Sequence, residues 1–463
     1  MPSFESYSAE IQALLKKLHV EPGHTVEVKR GDKRWTGSIM PRTHGNAETL
    51  VLKLDNGYNI GIEFGPNVKI TKTKEQNIKE PVQETAKKLA AKSVNLQKPT
   101  IAILHTGGTI ASRLDYRTGA VQPLFTADDI VGMYPELTEI ANIRAKVVFQ
   151  VFSEDIEPAE HWPKLANEVH KAIVEEGCDG VIITHGTDVI HYTAAAMAFM
   201  LQNLPVPVLI VGAQRSSDRP SSDAGMNLIS AARFIVGTDW SGVGICMHAD
   251  SSDEACWVLP ATRSKKMHTS RRDTFRPIDA RPIAKIHYAL NMIEMITQDY
   301  PKRDPARVPK LDNVFEPHVA LVKSRPGFRA EELRWYAENC HGIVIEGMGI
   351  NGLPINHNDD ATRHHPELLK LLEEMKNKCV VFFTSQCTYG RVNLNIYSTG
   401  RDLQRVGVVP AYMTPETAFV KLGWVLGHTK ERKKVIEMMS DNIAGELYDR
   451  SELDDFPDKE MEK

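Results

Sequence analysis

Two short segments concentrate the reactive chemistry of this chain: H-T-G-G-T-I-A-S at 105–112 and T-H-G-T-D at 184–188. Each follows an apolar run, Ile-Ala-Ile-Leu at 101–104 and Gly-Val-Ile-Ile at 180–183. Such runs read as buried parallel strands, and open α/β sheets hold ligands in loops at the carboxyl ends of those strands. Two threonine hydroxyls (Thr109 and Thr187), the Asp188 carboxylate and bare backbone N–H groups at the glycines would then converge on one crevice. That set suits attack of a hydroxyl on a carbonyl, with N–H donors on the developing oxyanion. Taken alone, the first segment fits anion binding equally well, because glycine-rich strand-to-helix loops also hold phosphate. Neither G-x-G-x-x-G nor G-x-x-x-x-G-K-[ST] occurs in it, however.

Threonine is a weak nucleophile and needs a base. A lysine can be that base where burial favours its neutral form. The candidates lie in R-S-K-K-M-H-T-S-R-R at 263–272, and composition does not choose between Lys265 and Lys266; a plain basic loop is the alternative. His105 and His185 stand at the ends of adjacent expected strands and invite a metal. No H-E-x-x-H or carboxylate pattern joins them, so structural histidines and no metal are expected. The segment G-M-G-I-N-G at 347–352 follows another apolar run and reads as a ligand loop or an ordinary tight turn. The six cysteines show no C-x-x-C spacing, which argues against a zinc site or a disulfide framework. Cys387 is a conceivable nucleophile, but no suitable base stands near it in sequence.

The elements that must position these residues follow from length and pattern. A chain of 463 residues exceeds one ordinary core, so two or three domains are expected. From Thr25 onward, short alternating runs separated by R-G-D and D-N-G turns predict a small all-β, SH3-like barrel domain within 1–75. A polar linker spans 76–98. From 99 the pattern becomes strand, loop, helix: strands at 100–104, 145–151, 180–184, 208–211 and 242–247, helices at 127–133, 161–176, 192–201 and 222–236. This alternation predicts a doubly wound parallel α/β sheet over 99–300. A Pro- and Arg-rich linker (301–315) leads to a smaller α/β domain (316–445), and an acidic tail (446–463) is expected to be disordered. No run is long enough to cross a membrane, and the N-terminal residues lack a basic and an apolar region, so a cytoplasmic location is expected. Charge is uneven. Up to position 98 there are 16 basic against 11 acidic residues, while the whole chain is at −4. The mild basic excess suits a polyanion such as RNA as well as an ordinary solvated surface.

The two threonine loops, about 80 residues apart, resemble the two signatures of the L-asparaginase/glutaminase family: T-G-G-T-I-A at 106–111 and H-G-T-D at 185–188. Ser153-Glu154-Asp155 is similar to that family's loop for the substrate's α-carboxylate and α-amino groups. The segments at 212–215 and 222–225 resemble the next strand end and helix start, and Lys266, by its spacing to Phe275, resembles the catalytic lysine. The resemblance covers roughly 99–427. It implies an asparaginase-like two-domain α/β architecture, Thr109 as nucleophile, and Thr187, Asp188 and Lys266 as a second triad that activates the attacking group and later water. It further implies Gly108, Ser153, Glu154 and Gly186 as substrate-binding residues, Tyr116 on a mobile flap, and Asn351 serving a neighbouring subunit's site.

The added N-terminal residues carry G-S-I-M-P-R-T at 37–43 and L-V-L-K-L-D-N-G-Y-N-I-G at 50–61. With S-R-L-D-Y-R-T-G-A-V at 112–121 and H-T-S-R-R-D at 268–273, they resemble the D subunits of archaeal glutamyl-tRNA(Gln) amidotransferases. That resemblance implies an amidohydrolase that deamidates glutamine (asparagine being the alternative amide) and sends the ammonia to a partner E subunit. The E subunit would use ATP and magnesium to convert Glu-tRNA(Gln) to Gln-tRNA(Gln), leaving this chain without a cofactor of its own. A homodimer within a heterotetramer is implied as well. The rival expectations are a stand-alone asparaginase with an added N-terminal domain, and a tRNA-binding scaffold with a lapsed site.

Overall fold

The computed structural model describes residues 4, 7–21, 23–40, 47–54, 59–73, 97–108, 110, 112–114, 121–123, 134–215, 222–452 and 456. The expected helix at 127–133 and, except for 97 and 98, the expected linker at 76–98 lie outside them.

The N-terminal unit is all-β apart from one helix, Ala9–Lys17. Its strands Thr25–Arg30, Lys33–Ile39, Thr49–Leu54 and Asn59–Glu63 form an antiparallel meander, and Val68–Lys72 returns to pair with the first. Alternate apolar residues (Val26, Val28, Leu50, Leu52) point into one small core, which the helix closes with Ile11 and Leu15. The Tyr7 hydroxyl pins the unit by donating to the Met40 carbonyl at 2.6 Å and accepting from the Val51 N–H at 3.1 Å.

The central sheet has eight strands in the order Met292–Met295, Ala284–His287, Ala255–Pro260, Gly242–His248, Pro207–Val211, Gly180–Thr184, Thr100–Gly107, Asn142–Val151. The last five are parallel. Their residues divide strictly by parity: Ala102, Leu104, Val181, Ile183, Val208 and Ile210 enter one core, while Ile101, Ile103, Ile182, Leu209 and Val211 enter the other. Both faces are therefore covered, which is why these strands read as continuous apolar runs. The wholly parallel expectation needs one correction, since three antiparallel strands extend the sheet beyond Gly242–His248. Two of them are short and partly exposed, so their apolar signal is weak.

The C-terminal unit carries a four-stranded parallel sheet (Val319–Lys323, Gly342–Gly347, Val380–Ser385, Val409–Pro410) with the helices Ala330–Asn339 and Pro366–Met375. Its helix Pro415–His428 is almost entirely buried, because it packs on the large sheet's helix Ile190–Met200 as well as on its own sheet. Its Lys421 forms a fully buried ion pair with Glu446 at 2.5 Å, and Glu446 also accepts from the N–H groups of Ile443 and Ala444. The expected free tail accordingly does not begin at 446. Glu446 is sealed in, and the Tyr448 hydroxyl donates to Asp279 at 2.8 Å while Arg263 stacks over its ring.

Among the described residues, no helix is long and apolar enough to cross a membrane.

Candidate active site

The chain leaves the strand Thr100–Gly107 for the neighbour on one side, Asn142–Val151, and then crosses to the neighbour on the other, Gly180–Thr184. That reversal is a topological switch point, where the loops at the carboxyl ends splay apart. A register irregularity between His105 and Gly107 turns the first loop away from the ladder. Gly107 (φ +110°) and Gly108 (φ +82°) continue the turn in a region that suits glycine.

Three loops then meet backbone to backbone. A Cβ built on Gly108 would stand 2.3 Å from the Gly186 Cα, one on Gly186 2.6 Å from the Ser153 Cβ, and one on Gly107 2.2 Å from the Val151 carbonyl oxygen. Gly108, Gly186 and Ser153 are thus brought together. Glu154 lies exposed beside them, its carboxylate accepting from the Ser153 hydroxyl at 3.3 Å.

Thr187 and Asp188 open a short 3-10 turn that runs into the helix Ile190–Met200. Lys266 comes from the two-stranded hairpin Ser264–Lys266 with Phe275–Pro277. Its Nζ lies 2.8 Å from the Thr187 Oγ1 and 2.7 Å from the Asp188 Oδ1. The Lys266 side chain is 10% exposed and the Asp188 side chain 63%, so the triad runs from a buried hydroxyl to solvent. The loop that closes the hairpin is braced by Asp273, which takes Arg271 at 2.9 and 2.8 Å and Arg276 at 2.7 Å. Burial pushes the Asp273 carboxyl up, but the two guanidiniums prevail and hold it at about 2.

Thr109 and Tyr116 fall outside the described residues. Asn351 is buried in the loop after Gly342–Gly347 and donates to the Asn393 carbonyl at 3.1 Å, so the structure places it within the C-terminal unit and not with the other site residues. Two residues to which sequence reasoning gave no role of their own lie behind the site. Asp223 points its buried carboxylate back to accept from the N–H groups of Gln214 and Arg215, fixing the loop after Pro207–Val211. Its local signal was only that of an acid before a helix. Glu416, in the first turn of Pro415–His428, reads in sequence as part of a T-P-E helix start and shows no local sign of a distant role.

His105 and His185 do lie on adjacent strand ends. The His105 Nδ1 meets the Thr184 hydroxyl at 2.8 Å, and the His185 Nδ1 meets the Gly186 carbonyl at 2.7 Å. Among the described residues, the one trio of ligating side chains close enough to share an ion is Glu316, His318 and His341, at the C-terminal sheet. Lys430 already occupies the same carboxylate.

Burial lowers the pKa of His105, His185 and His191 from 6.5 to about 4. Between those values the unfolded chain binds protons that the folded chain does not, so acid favours unfolding. Stability is expected to fall as pH drops from 6.5 toward 4, by roughly 2 kcal/mol per imidazole at pH 5. Thermal denaturation at pH 7, 6 and 5 checks this, and a melting temperature that is flat over that range would contradict it.

Comparison with known proteins adds to this geometry. Residues 20–72 match the family described as GatD N-terminal domain, 100–298 match Asparaginase, N-terminal, and 318–439 match Glutaminase/Asparaginase C-terminal domain. The chain is 46% identical over 444 residues to the D subunit of glutamyl-tRNA(Gln) amidotransferase from Pyrococcus furiosus, covering 94% of this chain and 97% of the relative. It is 48% identical over 438 residues to the corresponding D subunit from Thermococcus kodakarensis, covering 93% and 94%. Among solved structures, the thermostable L-asparaginase from Thermococcus kodakarensis superposes with a TM-score of 0.65 at 32% identity, over 75% of this chain and 99% of that one. L-asparaginase I from Vibrio cholerae superposes with a TM-score of 0.64 at 24% identity, over 76% and 99%, a likeness of fold.

Proposed function

Because the chain belongs to the family of glutamyl-tRNA(Gln) amidotransferase D subunits, we propose that it is the glutaminase component of that tRNA-dependent enzyme. It hydrolyses glutamine and supplies ammonia for converting Glu-tRNA(Gln) to Gln-tRNA(Gln). The observation that carries the chemistry is the Lys266 Nζ within hydrogen-bond reach of both Thr187 and Asp188.

In this reading the glutamine side-chain amide lies against the glycine loops, with Ser153 and Glu154 taking its α-substituents. The Thr109 hydroxyl oxygen forms a bond to the amide carbon. Its proton passes to the Lys266 amine, with Thr187 as the intervening hydroxyl and Asp188 orienting the amine. Backbone N–H groups at the glycine loops hold the oxyanion. Collapse breaks the C–N bond, and the leaving nitrogen takes the proton back from Lys266 and departs as ammonia, which restores the amine. Water, activated by the same amine, then cleaves the ester to glutamate and regenerates Thr109. A flap carrying Tyr116 would exclude bulk water during these steps. Asn351 is assigned to a neighbouring copy's site, consistent with its seat in the C-terminal unit.

The chain works within the amidotransferase complex, together with a partner protein. We assign that partner as an E subunit using ATP and magnesium, bound to a cytoplasmic homodimer of this chain in a heterotetramer with an internal ammonia path; no cofactor is assigned to this chain. Ammonia release from glutamine, measured with and without the E subunit and Glu-tRNA(Gln), tests the assignment. Turnover is expected to rise about ten-fold or more when both are present, as for a site completed by binding. Indifference to both additions favours a stand-alone amidase instead.

A further inference from the structure

The two adjacent lysines of the hairpin face opposite ways, as successive residues on a strand must. Lys266 reaches the Thr187–Asp188 loop, and Lys265 reaches the C-terminal unit. The Lys265 Nζ lies 2.6 Å from Oε1 of Glu416, in the first turn of the helix Pro415–His428. Glu416 is buried, its side chain 11% exposed. Two further bonds tie the strand's entry to the same helix and the segment that follows it. The Thr417 hydroxyl donates to the Thr262 carbonyl at 2.8 Å, and the Thr262 hydroxyl donates to the Ala444 carbonyl at 3.1 Å. The helix is in turn anchored by the Lys421–Glu446 pair and packs on Ile190–Met200, the helix that begins just after Thr187 and Asp188. One helix therefore backs both halves of the triad. The His191 ring, buried at the junction, lies within the fields of Glu416, Lys265, Lys266 and Asp188.

We propose that Glu416 is a positioning residue: by holding Lys265 it fixes the seat of the hairpin, and so keeps the Lys266 Nζ in reach of Thr187 and Asp188. This rests on the reading of Lys266 as the base. A pair this buried adds little net stability over well-packed apolar side chains, so its main consequence is geometric. Displacements of about 1 Å in a catalytic group cost around 10²-fold in rate. The proposed substrate contacts at Gly108, Ser153 and Gly186 lie in loops that follow other strands and are left alone.

The test is steady-state glutamine hydrolysis by the complete complex with Glu416→Gln, Lys265→Met, Lys265→Arg and Lys266→Ala. Glu416→Gln and Lys265→Met are expected to lower kcat about ten-fold or more with KM within about two-fold of the native value. Lys265→Arg, which can still meet the carboxylate, is expected to keep kcat within about three-fold. Should Glu416→Gln fail to fold, Lys265→Met reads the same contact from its more exposed partner. A native kcat in Lys265→Met, or an equal fall in Lys265→Arg and Lys265→Met, overturns the proposal. If Lys266→Ala is inactive while Lys265→Met is native, only the positioning role fails. If Lys266→Ala turns over normally, the proposed reaction itself is wrong.

Discussion

Lys266→Ala is expected to lower glutamine turnover by about 10³-fold or more while leaving the fold intact, the upper range for loss of a positioned proton-transfer group. The amine is the one described group that touches both the Thr187 hydroxyl and the Asp188 carboxylate, at 2.8 and 2.7 Å. Removing it takes away the proposed proton acceptor and leaves Asp188, itself largely exposed, to solvent. Folding should survive because Lys266 sits on a three-residue strand whose ladder and Asp273 brace do not involve its side chain. Ammonia release from glutamine, with circular dichroism to check the fold, is the measurement. Thr109→Ala should fall equally far, since a group that transfers a proton is useless without the oxygen that attacks. Turnover within about ten-fold of native in a folded Lys266→Ala chain would remove the basis for the assignment.

Gly108→Ala is expected to destroy the site by a different route. The residue sits at φ +82°, where an L side chain is strained by roughly 1–2 kcal/mol. The added Cβ would also stand 2.3 Å from both the Cα and the N of Gly186, and backbone on a buried strand end cannot swing aside as a side-chain tip can. Relieving the clash must part the first loop from the second, and Gly186 is itself pressed against Ser153. A loss of activity of about 10²-fold or more is expected, together with destabilisation of roughly 3 kcal/mol or more. Gly177→Ala is the control. It has a comparable positive φ of +63° but open space around the new Cβ, so it should cost only about 1 kcal/mol and leave turnover native. Equal behaviour of the two variants in melting and activity would show that strain alone, and not loop contact, governs Gly108.

Much of this molecule is legible in its sequence, and the reasons are local. The strands Thr100–Gly107, Gly180–Thr184 and Pro207–Val211 announce themselves because both their faces are buried. Ala284–His287 and Met292–Met295 do not, since they are four residues long and only partly buried. The helix Ser398–Arg405 buries only Gly400 and Leu403, so it has no apolar stripe to detect. The buried Lys421–Glu446 pair was invisible for a different reason. Glu446, an acid near the chain's end, reads as solvated tail, and only Lys421, reaching it from the helix Pro415–His428, makes it part of the core.

The site divides the same way. Glycine pairs, threonines and an aspartate at strand ends are dictated by local chemistry: a chain that turns sharply, approaches another backbone and presents a hydroxyl leaves that pattern in its residues. The residue types at the candidate catalytic loops, and the order in which they occur, were thus settled by the sequence alone. Composition did not choose between the two neighbouring lysines, and only the family resemblance pointed to Lys266, because the residues adjoin and differ only in the side of the strand they occupy. Lys266 points to Thr187, and Lys265 to Glu416 on a helix about 150 residues further on. That division exists only once the C-terminal helix packs against the large sheet's own helix, since a strand's two faces acquire different meanings only from what is laid against each.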